Sequence, residues 1–341
     1  MLGVRAESEN ALRETSGMAA QVLRPILDTY RDSAVAVVGC HARGIERPSC
    51  ELDVVVVTNE RRPSTTVKMG DLCLDLMFVP EREVLKPSNP EVGVSLAFAK
   101  TVRDTSLTLS TGLASSLALL QNSARRSSSR RLAASLKSLG RADEASQKGS
   151  LLDADYWLLS AAYDYCYSIL YMTEVPPPPS HLLAQLKPVS RGTQRGFEAF
   201  SKGAGLERAS KRSCASRLEG LAVLYDVLGG GHEGGTRLRP AWSATRLQSV
   251  ARKAGEMSQN IEHAECYSYL GTELLNAVRA LTARQGASAR TGLGPASLAA
   301  GKDRLLSSRL LEDAGFCRDG ESIREGLALL KVQVSKLARR S

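Results

Sequence analysis

The chain has 341 residues, 43% hydrophobic and 24% charged, with 45 Lys and Arg against 36 Asp and Glu for a net charge of +9. That length suits two domains, the composition excludes a disordered chain, and the positive balance favours phosphorylated or polyanionic partners. Seven scattered cysteines with no Cys-x-x-Cys pair argue against a disulfide framework and a structural zinc site; with no apolar run of about 18 residues and no signal-peptide stretch at the start, a reduced cytoplasmic setting without a membrane partner is expected.

In chain order, residues 6 to 31 are expected as a first helix, with Val22, Leu23, Ile26 and Leu27 on its apolar stripe and Pro25 as a kink or break. AVAVV, residues 34 to 38, reads as a short buried strand that Gly39 ends, and Cys40 to Gly44 as a short helix or turn. A polar loop from Glu46 to Cys50 leads into Leu52 to Val57, a run so rich in valine that both faces should be covered. Thr65 to Met69 and Asp71 to Val79 flank Gly70 as a hairpin. Residues 91 to 100 read as helix, Thr101 to Arg103 as an extended piece, and about 110 to 140 as one helical stretch. That stretch holds RRSSSRR, residues 125 to 131, read as a solvated face or an anion-binding flank.

GRADEASQKGS, residues 140 to 150, is the expected boundary between a domain over 1–145 and a second over 150–341. Beyond it only helical patterns appear. Tyr156 to Met172 reads as a buried helix that the prolines at 176 to 179 stop. Further helices are expected from His181 to Leu186, over 218–228, over 246–283 as one or two, and at 302–315 and 320–338. GGGHEGG, residues 229 to 235, has neither a preceding strand nor a following Gly-Lys-Ser and is a flexible loop, not a phosphate loop. The fold class is therefore α+β: a mixed sheet flanked by helices, then an all-helical domain.

Candidate chemistry sits at the first two strands. Glu51 and Asp53 are two apart on a strand, so their side chains share a face. If the strand carrying Asp75 is a neighbour, three carboxylates meet, and a divalent cation would relieve their repulsion. Magnesium suits such oxygen ligands and keeps waters for substrate phosphates. A glycine after a strand lets phosphate approach the backbone, and Arg43 could add a charge-assisted contact. Each residue also has an ordinary structural reading: Glu51 as a loop residue, Asp53 as a strand-start carboxylate, Asp75 as a partner of Arg43 or Lys68.

The joint order is more specific than its parts. Gly39, Cys40, Arg43 and Gly44, then Glu51 and Asp53, then Asp75, together resemble the nucleotidyltransferase superfamily typified by polymerase β. AKTVRDTSLTL, residues 99 to 109, looks like the strand and turn of the small bacterial and archaeal members. The all-helical second half is similar to the kanamycin nucleotidyltransferase type. The resemblance covers roughly residues 10 to 115 and beyond 150 is architectural only. It implies an N-terminal nucleotidyltransferase fold that moves a nucleoside monophosphate from a nucleoside triphosphate, ATP being the expected one, to an acceptor hydroxyl, releasing pyrophosphate. By that resemblance Gly39 and Cys40 hold the triphosphate, beside the charge-assisted contact that Arg43 could add. Glu51 and Asp53 ligate magnesium, and Asp75 binds the catalytic ion and helps deprotonate the acceptor. Two positions depart from the pattern: Cys40 stands where the family usually has serine or glycine, and Glu51 where it usually has aspartate.

Other residues carry less. His41 could touch a phosphate or be a plain turn residue; His263 and Cys266 share a helical face without a third ligand; Asp155 and Asp164 could serve as a base from the helical half. The acceptor stays open between a small molecule, an RNA end and a protein side chain, and homodimer formation is also open. The rival class is a non-catalytic nucleotide- or RNA-binding regulatory protein on the same fold.

Overall fold

The computed structural model describes residues 17–60, 62–70, 72–190, 194–229, 242–284, 308–316 and 318–339, and these fall into two compact units. The first consists of the described residues within Met1–Arg126, Glu174–Pro178 and Arg239–Ser249. It opens with helix α1 (Gly17–Thr29), strand β1 (Val35–Val38), the short helix α2 (Gly39–Arg43) and strands β2 (Leu52–Val57), β3 (Thr65–Met69) and β4 (Leu72–Val79). Helices α3 (Glu81–Leu85) and α4 (Pro90–Leu96), strand β5 (Lys100–Arg103) and helix α5 (Thr108–Ala118) follow. The five strands make one sheet in the order β3-β4-β2-β1-β5. β2 runs parallel to β4, and the other pairings are antiparallel.

The valine run takes the middle of this sheet because each of its faces is covered. Leu52, Val54 and Val56 join Val35, Val37, Leu74 and Leu76 against Val22, Leu23, Ile26 and Leu27 of α1. Val55 and Val57 turn the other way, with Ala36 and Val38, onto Val84 of α3 and Leu109 of α5. A strand with two dry faces has no need of alternating polarity, which explains its composition. Arg103 of β5 ties α1 to the sheet edge: its guanidinium donates to the backbone carbonyls of Leu27 (2.8 Å), Tyr30 and Ser33, where a helix C-terminus favours a cation. The helix expected over 110–140 is two helices, with Leu119 between α5 and α6 (Leu120–Gln147). Residues 140–147, in the stretch expected as the boundary, are the last turns of α6.

The second unit consists of the described residues within Ser127–Thr173, Pro179–Leu238 and Val250–Ser341. It is all-helical. After most of α6 come α7 (Leu151–Tyr171), α8 (Leu182–Ser190), α9 (Gln194–Ala204), α10 (Lys211–Gly229), the larger part of α11 (Ala244–Gln259), α12 (His263–Arg284), α13 (Ser308–Asp313) and α14 (Gly320–Ala338). Nearly every residue of α7 from Ala154 to Cys166 is buried, so its polar groups find internal partners. Tyr163 donates to the carbonyl of Ser268 at 2.5 Å, and Ser135 to that of Ala161 at 2.8 Å. Asp155 accepts from Arg318 Nε at 2.6 Å and from its backbone N–H at 3.0 Å. Asp164 accepts from Arg131 at 3.0 Å. Among the described residues, no helix is long and apolar enough to cross a membrane. Most of GGGHEGG and the loop expected at 285–301 lie outside the described residues.

Candidate functional site

The sheet register brings two of the expected residues together. β2 and β4 are parallel neighbours with Asp53 opposite Asp75, so both side chains leave the same face. In the antiparallel direction Asp53 lies opposite Val38, the last residue of β1. Gly39 follows immediately at φ +70°, and a Cβ built there would fall 2.1 Å from Asp53 Oδ2. Position 39 therefore needs glycine twice, for its left-handed backbone and for the carboxylate packed over its Cα. No side chain caps the start of α2 at this turn. Cys40 is buried, and the Nε2 atom of His41 is buried without a hydrogen-bond partner among the described residues.

Glu51 stands one residue before β2 and is almost fully enclosed. Its Oε1 accepts from Ser249 Oγ at 2.6 Å and from Arg246 Nη1 at 3.3 Å. The same Arg246 nitrogen lies 2.5 Å from Asp75 Oδ2, while Thr66 Oγ1 donates to Asp75 Oδ1 at 2.7 Å. Glu51 and Asp75 thus share one guanidinium nitrogen. The side chains are 4% exposed at Glu51, 19% at Arg246 and 22% at Asp75, a setting in which a charge needs a partner. Asp75 pairs with Arg246 and neither with Arg43 nor with Lys68.

Arg43 sits at the end of α2. It donates to the carbonyl of Pro176 at 2.6 Å, and its guanidinium lies 6.0 Å from the centre of the Phe98 ring. Burial pulls its pKa below the usual arginine value, more than the nearby Cys40 opposes. In the second unit, Asp155 and Asp164 are committed to Arg318 and Arg131, with Arg279 a further 3.6 Å contact of Asp164. Both therefore serve as anchors of α7.

Carboxylate oxygens at Glu51, Asp53 and Asp75 are the donor type a hard divalent cation takes. The three do not gather their oxygens within 4.8 Å of one another, and Arg246 lies against two of them, Glu51 and Asp75. The sequence reading missed Thr66, Arg246 and Ser249. Thr66 had a signal, because the hairpin register alone puts it opposite Asp75. Arg246 and Ser249 had none: they lie 195 and 198 residues from Glu51.

No family model matches this chain, and no curated protein matches it. Among solved structures, a nucleotidyltransferase-like protein from Exiguobacterium sibiricum 255-15 is similar to it at 12% identity and a TM-score of 0.35, over 78% of this chain and 91% of that one. A likeness of that depth assigns no activity.

Proposed function

We propose that the first unit binds a nucleoside triphosphate, ATP being the expected one, and transfers its nucleoside monophosphate to an acceptor hydroxyl. The observation that carries this reading is the parallel register that sets Asp53 beside Asp75 next to the Gly39 turn. In the reaction the acceptor oxygen bonds to the α-phosphorus, the bond to the bridging oxygen of the β-phosphate breaks, and pyrophosphate leaves. Asp75 takes the acceptor proton. Gly39, Cys40 and Arg43 hold the triphosphate, the glycine by leaving room at the backbone. Glu51, Asp53 and Asp75 would hold magnesium, which when bound supplies charge neutralisation for the phosphates. Glu51 and Cys40 fill their positions with one extra methylene and with a weak hydrogen-bond donor.

The test is transfer of label. Purified protein with magnesium and each of the four α-labelled nucleoside triphosphates is offered RNA, cell protein and small metabolites separately. Label should enter one fraction, and Asp53→Asn should abolish it while circular dichroism stays unchanged. Equal transfer by wild type and Asp53→Asn would remove Asp53 from the reaction. A second reading is a non-catalytic nucleotide- or RNA-binding regulatory protein, favoured by the grip of Arg246 on Glu51 and Asp75. Tight triphosphate binding without transfer in any fraction would select it.

A further inference from the structure

The contact made by Arg246 differs from the one made by Arg318. Arg318 grips a single carboxylate, that of Asp155, donating from Nε to one oxygen and from its own backbone N–H to the other, two hydrogen bonds on one charge as suits an anchor. Arg246 instead sets one nitrogen between two carboxylates on different segments, 2.5 Å from Asp75 and 3.3 Å from Glu51, as a bound ion would. Ser249, one turn further along α11, holds the same Glu51 oxygen. The first two turns of α11 therefore deliver the charge and the hydroxyl together. Without a cation, Glu51 and Asp75 would be like charges in a largely dry setting, a costly arrangement.

We propose that Arg246 is the resting counter-cation of this site, and that a divalent cation and Arg246 compete for Glu51 and Asp75. The inference rests on the nucleotidyltransferase reading, in which these carboxylates are metal ligands. The guanidinium takes up the carboxylate charge while no metal is bound and leaves when one arrives. Residues 244–249 then act as a latch whose release accompanies loading of the site.

The probe is Mn2+ alone, added to the full-length protein, with free ion followed by its electron paramagnetic resonance signal. Arg246→Met, neutral and of similar length, should bind Mn2+ at least about tenfold tighter than wild type, roughly 1.4 kcal/mol. Arg246→Lys keeps the charge and should stay close to wild type. Equal affinity in wild type and Arg246→Met would overturn the latch while leaving the carboxylates as a metal site. Absence of Mn2+ binding by either protein would overturn the metal-site reading and the latch with it. A measurement on wild type alone guards against misfolding of the variants. Hydrogen exchange of the peptide covering 244–249 should speed up when Mg2+ is added, and unchanged or slower exchange there would also sink the latch.

Discussion

Gly39 shows how one residue can be fixed by two separate demands. Its φ of +70° lies in the left-handed region, and the Asp53 carboxylate occupies the space a Cβ would need. The backbone part of a Gly39→Ala change costs about 1–2 kcal/mol, and the steric part adds to it because Asp53 must swing away. We expect a loss of about 2–3 kcal/mol in urea unfolding. Adding Asp53→Ala should recover the steric part and leave the backbone part, so the double variant should be more stable than the sum of the singles implies. Strict additivity would show that Asp53 does not press on position 39.

Among the elements, α3 and α5 come closest at a glycine, beside the hydrogen bond from Thr108 to Glu81 at 3.0 Å. A Cβ at Gly112 would fall 2.6 Å from Val84 Cγ1 and 2.6 Å from the Val84 carbonyl oxygen. The backbone of a five-residue helix cannot move aside without disturbing the strand it follows, so the contact is unforgiving. Gly112→Ala should therefore destabilise by about 1–3 kcal/mol through overpacking, although alanine is the better helix former. A stability equal to or above wild type in thermal unfolding would mean that the propensity gain outweighs the clash. These two helices cover Ala36, Val38, Val55 and Val57, the face from which Asp53 and Asp75 also project, so looser packing there should also reach the site.

At the scale of the whole molecule, the second unit hides its tyrosines. Burial pushes the Tyr163 and Tyr165 hydroxyls up to about 12 from an ordinary 10, and Tyr167 shifts further the same way. A raised folded pKa means that the unfolded chain ionises first. The stabilisation is complete below the unfolded value and is lost as pH rises from about 10 through about 12. Unfolding midpoints in urea should drop steeply over that window. Tyr163→Phe should show a shallower drop there, since one tyrosine that ionises on unfolding is gone. Equal slopes for the two proteins would show that the Tyr163 hydroxyl ionises as freely folded as unfolded.

The class of the fold was legible in the sequence, because its signals are local and periodic. A valine run announces a strand with two covered faces, Thr65 to Met69 and the run to Val79 turn about Gly70, and the second half carries only helical spacing. It also marked Gly39, Glu51, Asp53 and Asp75 through their order along the chain. RRSSSRR was half legible. Arg125, Arg126 and Arg130 are exposed as a solvated face should be, yet Ser127 and Ser128 are buried, because a helix turns both sides of such a run in different directions. That β4 lies beside β2 with Asp75 opposite Asp53, and that Arg246 and Ser249 reach Glu51 across 195 and 198 residues, follows from the folded arrangement alone. An ion pair between distant segments leaves no period or spacing in the sequence. It exists because folding brings an arginine to a place where one buried and one half-buried carboxylate require a cation.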